Sequence, residues 1–552
     1  MKKKGSLSLL ALMLVFSVVL AACGNNNENA SGSSSPSASA GASGSAAPSG
    51  KPINLYVENE IKNLSQWAAS DDISFTVLNN VSEGLYRLDA DNNPQPALAQ
   101  DVAISDDKLT YTFTLRDGIQ WSNGTPITSA DFKYAWLGEM NPTTATNGYS
   151  FILTDYIVGG AEYAAGTGTA DQVAIEAKDD KTLVVTLKQP TPFFLRLTSL
   201  VPYFPLNEAF VKSQGDQYGL AADKLIYAGP YVLQSFDIAA GAVLKKNPTY
   251  WDNSNVKTDT INLKVIKEQS TALNAYKAGQ IDRVTLASSD VDANKSNPEF
   301  GTGIKFRTTY LQFNTKAEGL SNVNIRKALS LAFDSNILAA TILNNGSSGA
   351  SGLIPDLMSG DGTKTFRELN GKVIEANIEK AKELWAQGVQ ELGSAPKLTL
   401  LIADTSEVKD VATFLQSEFK NNLGIDVAID TKTSKARNEL MDNNNYQMAV
   451  TAWGADYDDA MTYMDLWTNH TPYRGNYESS EYDTLIANAK KETDDAKRTD
   501  MLLQAEKLLV DTDAVVAPIY FGGYSFLQKS NVTGLIYHPY GNPVEFKSAV
   551  AQ

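Results

Sequence analysis

Three acids and two aromatic rings crowd into the seven residues Trp453-Gly454-Ala455-Asp456-Tyr457-Asp458-Asp459. They directly follow the apolar, β-rich stretch 448–453, and a strand leaving a core at Trp453 would deliver them to one place. Asp458 and Asp459 read as a solvated loop or helix cap. Asp456 differs, because Trp453 and Tyr457 on either side suit a partly desolvated carboxylate that pairs with a cation, and aromatic walls strengthen such a pair. The chemistry indicated is non-covalent capture of a positive group.

Catalytic chemistry finds little material. The chain has one cysteine, Cys23, and two histidines, His470 and His538, neither with a partner at metal-ligand spacing. Gly166-Thr-Gly168 and Gly301-Thr-Gly303 lack the third glycine of a dinucleotide loop, and neither a nucleophile elbow nor a Walker loop is present. Most nucleophile-base pairs therefore cannot be built. His538 precedes Pro539 and reads as a loop residue. Asp89-Ala-Asp91-Asn-Asn93 opens like a calcium loop, yet Pro94 stands where glycine is needed and Gln100 where a bidentate glutamate is needed. A hairpin turn after Leu88 is the expectation there. An acid pair of a secreted hydrolase is a weak signal, since 63 Asp and Glu supply such pairs anywhere. No metal, no cofactor and no enzymatic activity are expected.

The elements that must position Asp456 alternate between strand and helix. Residues 109–116 alternate Tyr111, Phe113 and Leu115 with threonines, the period-two pattern of a half-buried strand. Thr128 and Asp131 resemble a capping box that opens a helix through Tyr134 and Trp136. Further strands are expected at 53–57, 183–187, 231–233, 243–245, 261–266, 398–402, 425–429 and 448–453. Helices are expected at 75–81, 271–277, 323–333, 378–392, 411–423 and 498–510. The class is mixed α/β, with no fixed repeat.

At the amino end, Lys2, Lys3 and Lys4 precede the weakly polar to apolar run 7–20, which is too short to span a membrane and reads as a secretory signal peptide, residues 1–22. Leu20-Ala21-Ala22-Cys23-Gly24 resembles the lipobox of bacterial lipoproteins. That resemblance implies a diacylglycerol on the Cys23 sulfur, cleavage before it, and a membrane partner held through two acyl chains, which anchor stably where one is marginal. With Cys23 so used, no disulfide is expected. Residues 23–50 then form a lipidated, Ser/Gly-rich tether with almost no large apolar side chain, expected to be disordered and about 30 Å end to end. Loss of the three leader lysines takes the formal charge from −16 to −19, which disfavours nucleic acid and anionic lipid. The remaining length of about 500 residues is enough for two or three domains.

A longer series then comes into register. Glu83-Gly84-Leu85-Tyr86, Pro96-Ala97-Leu98-Ala99, residues 111–124, Thr128-Ser-Ala130-Asp131-Phe132, Gly229-Pro230-Tyr231, residues 246–252, Ala278-Gly279-Gln280-Ile281-Asp282, residues 325–330, Trp453-Gly-Ala-Asp456-Tyr457 and Ala505-Glu506 follow in order. Together they resemble the oligopeptide/dipeptide-binding proteins of ABC importers, across about residues 53–545. The resemblance implies a periplasmic-binding-protein-like clamshell of two α/β lobes with a hinge. Lobe I would take residues 51–82, 190–309 and 519–552, an inserted subdomain 83–189, and lobe II 310–518. It implies that a peptide lies extended between strands, and that Asp456 binds its α-ammonium within a ligand-binding set of Trp453, Gly454, Ala455, Asp456 and Tyr457. Arg116, Trp121, Tyr250 and Trp251 are expected to hold the fold. The implied partners are a peptide and an ABC permease, with the protein a monomer on the outer face of the cell membrane, or on the periplasmic side where an outer membrane exists. The family's cations for the peptide carboxylate do not align here, so peptide length stays open. Alternative readings keep the architecture but change the ligand to an oligosaccharide, opine or metal chelate, with Trp453 and Trp467 stacking on it, or make the protein a receptor for peptide signals.

Overall fold

Tyr111, Phe113 and Leu115 are buried on one face of the strand Thr110–Leu115, while the alternating threonines stay half-buried. In this computed structural model, which describes residues 50–541 and 543–552, that strand lies inside a four-stranded antiparallel sheet ordered 99–104, 110–115, 182–186, 175–179. The expected signal peptide, Cys23 and all of the tether except Gly50 lie outside the described residues. Helix Ser129–Met140 packs on this sheet. Its start is closed by the Asp131 carboxylate, which accepts from the Thr128 amide at 2.7 Å and the Thr128 hydroxyl at 3.2 Å. The shorter acid serves in the capping box.

A second sheet joins distant parts of the chain. Ile53–Val57 runs parallel to Thr260–Val265, with Gly241–Lys246 and then Tyr231–Asp237 antiparallel beyond it. Ile53, Leu55, Ile261 and Leu263 fill its core. The chain between the two parallel partners builds the first sheet, which is why that domain reads as an insertion.

The third sheet has seven strands, ordered 283–285, 516–528, 300–313, 448–454, 398–403, 427–432, with 348–349 beside 516–528. Apolar faces of helices Val323–Leu331, Ile378–Leu392 and Ser406–Leu423 share a core with it. Phe300–Phe313 is one continuous strand although Gly301 and Gly303 mask its alternation. The glycines serve packing, since a Cβ at either would fall within 2.5 Å of the Phe526 or Tyr524 ring. This strand and Val516–Gln528 run antiparallel at lengths well beyond an ordinary strand and tie the two lobes together. Their register shifts between Ile304, opposite Gly523, and Thr308, opposite Phe521. Lys305, Phe306 and Arg307 therefore bulge from the ladder.

The result is an α/β clamshell of two lobes joined by long strands, with a small antiparallel domain inserted near the amino end. Among the described residues no helix is long and apolar enough to cross a membrane.

Candidate functional site

The strand Met448–Gly454 begins with four buried residues and ends with three half-buried ones, so the chain comes to the surface at Gly454. The Ala455 amide then donates to the Phe306 carbonyl at 2.7 Å, which fastens this exit to the bulge. The Tyr463 hydroxyl donates to the same carbonyl at 2.9 Å. Asp456 follows, half-buried. Its amide donates to the Thr462 hydroxyl oxygen at 3.2 Å, and that hydroxyl donates back to Asp456 Oδ2 at 3.3 Å. Burial pushes the Asp456 carboxyl up to about 6, against the opposing pull of the Thr462 hydroxyl. Among the described residues no Lys, Arg or His pairs with it. A carboxylate drawn from water and left without a counter-ion is poised to bind a cation.

Asp456 lines a cavity of about 360 Å³. Asp72 and Phe75 come from helix Asp72–Val81, Tyr149 from the inserted domain, and Lys305 and Arg307 from the bulge. Phe75 meets Tyr149 edge to face at 5.3 Å. Burial, with Asp456, Asp72 and Asp71 nearby, pushes the Tyr149 phenol up to about 12, so it remains a hydroxyl donor at every physiological pH. Arg307 stands directly opposite Gly454 in the strand register. A Cβ at Gly454 would meet nothing within 4 Å, so this glycine leaves open space beside the cation. Asp72 also walls a second cavity of about 710 Å³, where Arg283 is held between the Phe526 ring at 3.4 Å and the Tyr537 ring at 3.9 Å.

Of the five residues expected at the ligand, Gly454, Ala455 and Asp456 line the smaller cavity, whereas Trp453 and Tyr457 do not. Trp453 faces the Arg474 guanidinium, 5.1 Å from its ring centroid. Tyr457 is buried, stacked on Phe193 at 4.2 Å and 8°, with its hydroxyl 2.9 Å from that of Tyr156. Two other expectations are corrected, and His538, expected in a loop, lies in one. Asp458 and Asp459 are not solvated, although Asp459 does accept from the Met461 amide at 2.9 Å at the start of helix Met461–Met464. The buried Asp458 accepts from the Ser359 amide at 2.8 Å and hydroxyl at 2.6 Å, and Asp459 takes a bidentate bond from Arg498 at 2.8 Å on both arms. Trp467, offered as a stacking wall, is 1% exposed and packs against Tyr310, so it presents no face to a ligand. His538 is buried beside the cavity, its Nδ1 2.8 Å from Asn92 Oδ1 and its Nε2 3.6 Å from Glu545.

Asp89 does make a hairpin turn, its Oδ1 accepting from the Asp91 and Asn93 amides at 2.9 Å. Arg116, Tyr250 and Trp251 hold structure together. Glu83 accepts from the Tyr250 hydroxyl and the Trp251 indole at 2.6 Å each, and Arg116 lies 3.9 Å over the Trp251 ring. Among the described residues no group of three or more His, Cys, Asp or Glu could hold a metal. Asp72, Tyr149, Lys305 and Arg307 line the same cavity and are passed over by local reading. For the last two a signal exists, since residues 305–310 alternate Lys, Arg and Thr with Phe, Thr and Tyr.

Comparison with known proteins agrees with this architecture. Residues 93–475 match the family profile of bacterial extracellular solute-binding proteins, family 5, middle region. The chain is 33% identical over 506 residues to the dipeptide-binding protein DppE of Bacillus subtilis, covering 90% of this chain and 91% of that protein. It is 31% identical over 564 residues to the oligopeptide-binding protein OppA of the same organism, covering 100% and 99%. The solved structure of Listeria monocytogenes OppA bound to peptide superimposes with a TM-score of 0.73 at 32% identity, covering 90% of this chain and 98% of that one.

Proposed function

The chain belongs to the bacterial extracellular solute-binding proteins of family 5, and from that premise we propose that it captures peptides by their free amino terminus and hands them to an ABC-type importer. The observation that carries this reading is the Asp456 carboxylate, desolvated, unpaired among the described residues and facing a cavity between the lobes. An α-ammonium supplies the missing charge, and Tyr149 beside it offers a ring face and a hydroxyl. The names of the relatives, which bind dipeptides and oligopeptides, support a peptide over a sugar or chelate. Main-chain hydrogen bonds to an extended ligand would add affinity without selecting side chains. Binding, not bond-making, is the activity: a ligand that fits the closed clamshell better than the open one shifts the population towards closure.

The remaining assignments belong to the same proposal. Residues 1–22 are a signal peptide, Cys23 carries the lipid, and residues 23–50 tether the body to the outer face of a membrane. Lobe I comprises 51–82, 190–309 and 519–552, the insertion 83–189, and lobe II 310–518, in a monomer.

Titration calorimetry tests the site with a pentapeptide and its N-acetylated twin. Acetylation is expected to weaken binding to the wild type by roughly 2–5 kcal/mol, as when a buried charge pair loses one partner, and to matter little to Asp456→Ala. Equal binding of both peptides by the wild type removes Asp456 from an amine site.

A further inference from the structure

The inserted domain touches both lobes. On the lobe I side the Trp67 indole donates to the Ala135 carbonyl at 3.0 Å. On the other side the hairpin of strands 99–104 and 110–115 turns through residues 105–109, where Lys108 has φ +56, a left-handed conformation that glycine or asparagine adopts more readily. The turn closes without the lysine side chain. The Lys108 amide donates to the Ser105 carbonyl at 2.8 Å, and Asp107 Oδ1 accepts from the Ser105 hydroxyl at 2.5 Å and the Leu109 amide at 3.1 Å. The side chain instead crosses to lobe II, where its Nζ donates to the Thr493 carbonyl at 2.5 Å and lies 3.8 Å from Asp495. Glu492, Asp494 and Asp495 stand there at the start of helix Asp495–Lys507, flanked by Lys491 and Lys497. Lys108 is the one cation of a turn that also carries Asp106 and Asp107.

A second crossing starts just past the insertion, where Arg196 Nη2 lies 3.9 Å from Asp458 Oδ2 and donates to the Ser359 hydroxyl at 3.5 Å. Both crossings are polar and partly exposed, and such contacts make and break at little cost, unlike the buried stack of Tyr457 on Phe193. At the spacing they span, Asp72, Lys305 and Arg307 on the walls of the Asp456 cavity are exposed to solvent. A guest is shut in only when the lobes approach further.

We propose that Lys108 and Arg196 form a strap from the inserted domain and its flank to lobe II, which favours this spread arrangement and so sets how tightly any guest is held without touching it. The inference rests on the clamshell and not on the identity of the guest. Apparent affinity scales with the fraction of chains that can close, so the strap weakens every ligand by one common factor. It also accounts for a lysine where glycine fits better, since strain held in a turn goes with a contact that the turn itself does not need.

Lys108→Gly is the informative change, because glycine relieves the left-handed turn while removing the crossing. Its urea midpoint is expected not to fall. With Arg196→Met added, a pentapeptide and its N-acetylated twin are each expected to bind about threefold to tenfold tighter in calorimetry, by the same factor. Lys108→Gly alone should give about twofold, which carries the test if the double variant does not fold. Lys108→Arg keeps the cation and should bind as the wild type does. Lobe spacing is read by single-molecule energy transfer in a Cys23→Ser background, between dyes on Leu220→Cys and Leu392→Cys, exposed positions with one in each lobe. Without ligand, the spacing that saturating peptide selects should be populated more in the variant by a like factor. Unchanged or weaker binding, or a factor that differs between the two peptides, overturns the proposal. An unchanged spacing distribution overturns it as well, and that measurement alone decides if the wild type binds neither peptide and the peptide reading fails.

Discussion

Thr462 Oγ1 lies 3.2 Å from the Asp456 amide nitrogen and 3.3 Å from Asp456 Oδ2, so one small side chain fixes both the backbone and the carboxylate of the residue facing the cavity. The bond leaves most of the acceptor capacity of the carboxylate unused. That unused capacity is where a ligand's ammonium would bind.

The pH dependence of binding follows from this arrangement. With the Asp456 carboxyl raised to about 6 by burial, the ligand-free site is ionised at pH 7 and above. As pH falls through 6 the site takes up a proton that an ammonium must displace. Affinity for a free-amino peptide is expected to be greatest near pH 7, to fall by up to about tenfold per unit well below 6, and to decline above about pH 8 as the peptide's own α-ammonium loses its proton. Calorimetry from pH 4.5 to 8 checks it. Thr462→Val removes the one bond that favours the ionised form, and should move the break to higher pH; Asp456→Asn should abolish it.

Tyr457 separates packing from contact. Tyr457→Phe keeps the stack on Phe193 and strips only the bond to Tyr156, so a stability loss of about 1–3 kcal/mol with unchanged peptide affinity is expected. Tyr457→Ala opens a cavity at a position 4% exposed, and about 3–5 kcal/mol should be lost in urea unfolding. A Phe variant of native stability that binds tenfold more weakly would instead place the hydroxyl on the ligand.

Glu506, in the Ala505-Glu506 motif, is 0% exposed and accepts from the Leu353 amide at 2.8 Å and the Ile354 amide at 2.9 Å while pairing with Arg367 at 2.5 Å. Glu506→Ala leaves the Arg367 charge buried without its partner and frees the 353–370 segment. A loss of about 3–5 kcal/mol in denaturant unfolding is expected.

Glu139 gives stability a pH slope of its own. It is fully buried in the inserted domain, and burial pushes its carboxyl up to about 8 against the opposing pull of the Asn147 side chain. The folded state therefore holds a proton that the unfolded chain releases at an ordinary glutamate value. This contribution is complete below about pH 4 and is lost as pH rises towards 8. Glu139→Gln should flatten that part of the stability profile and raise stability at pH 7.5 by roughly 1–3 kcal/mol, read from urea midpoints.

Cys23→Ser tests the anchor without touching the folded body. Released into the medium or periplasm, the variant should bind peptide as tightly as the wild type and take up no labelled fatty acid. Retention in the membrane fraction after this change would rule out the lipid.

What the sequence determined by itself was whatever depends on near neighbours. The alternation in 110–115, the Thr128/Asp131 cap, the Asp89 turn and the exit of a strand at Trp453 each rest on contacts within a few residues, and each forms. It also placed Asp456 just past the exit of that strand, where its carboxyl lines the cavity, but not between the aromatic walls expected, since Trp453 and Tyr457 pack against Arg474 and Phe193. Tertiary structure decided which charges stay free. Asp458 and Asp459 are as acidic as Asp456 on paper, but Arg196 and Arg498 pair with them and Ser359 bonds Asp458, all from distant segments. Arg307 stands opposite Gly454 only because strands 300–313 and 448–454 are paired in the folded sheet. Whether a charge is available to a ligand depends on what topology brings within a few ångströms of it, and one-dimensional spacing does not carry that distance.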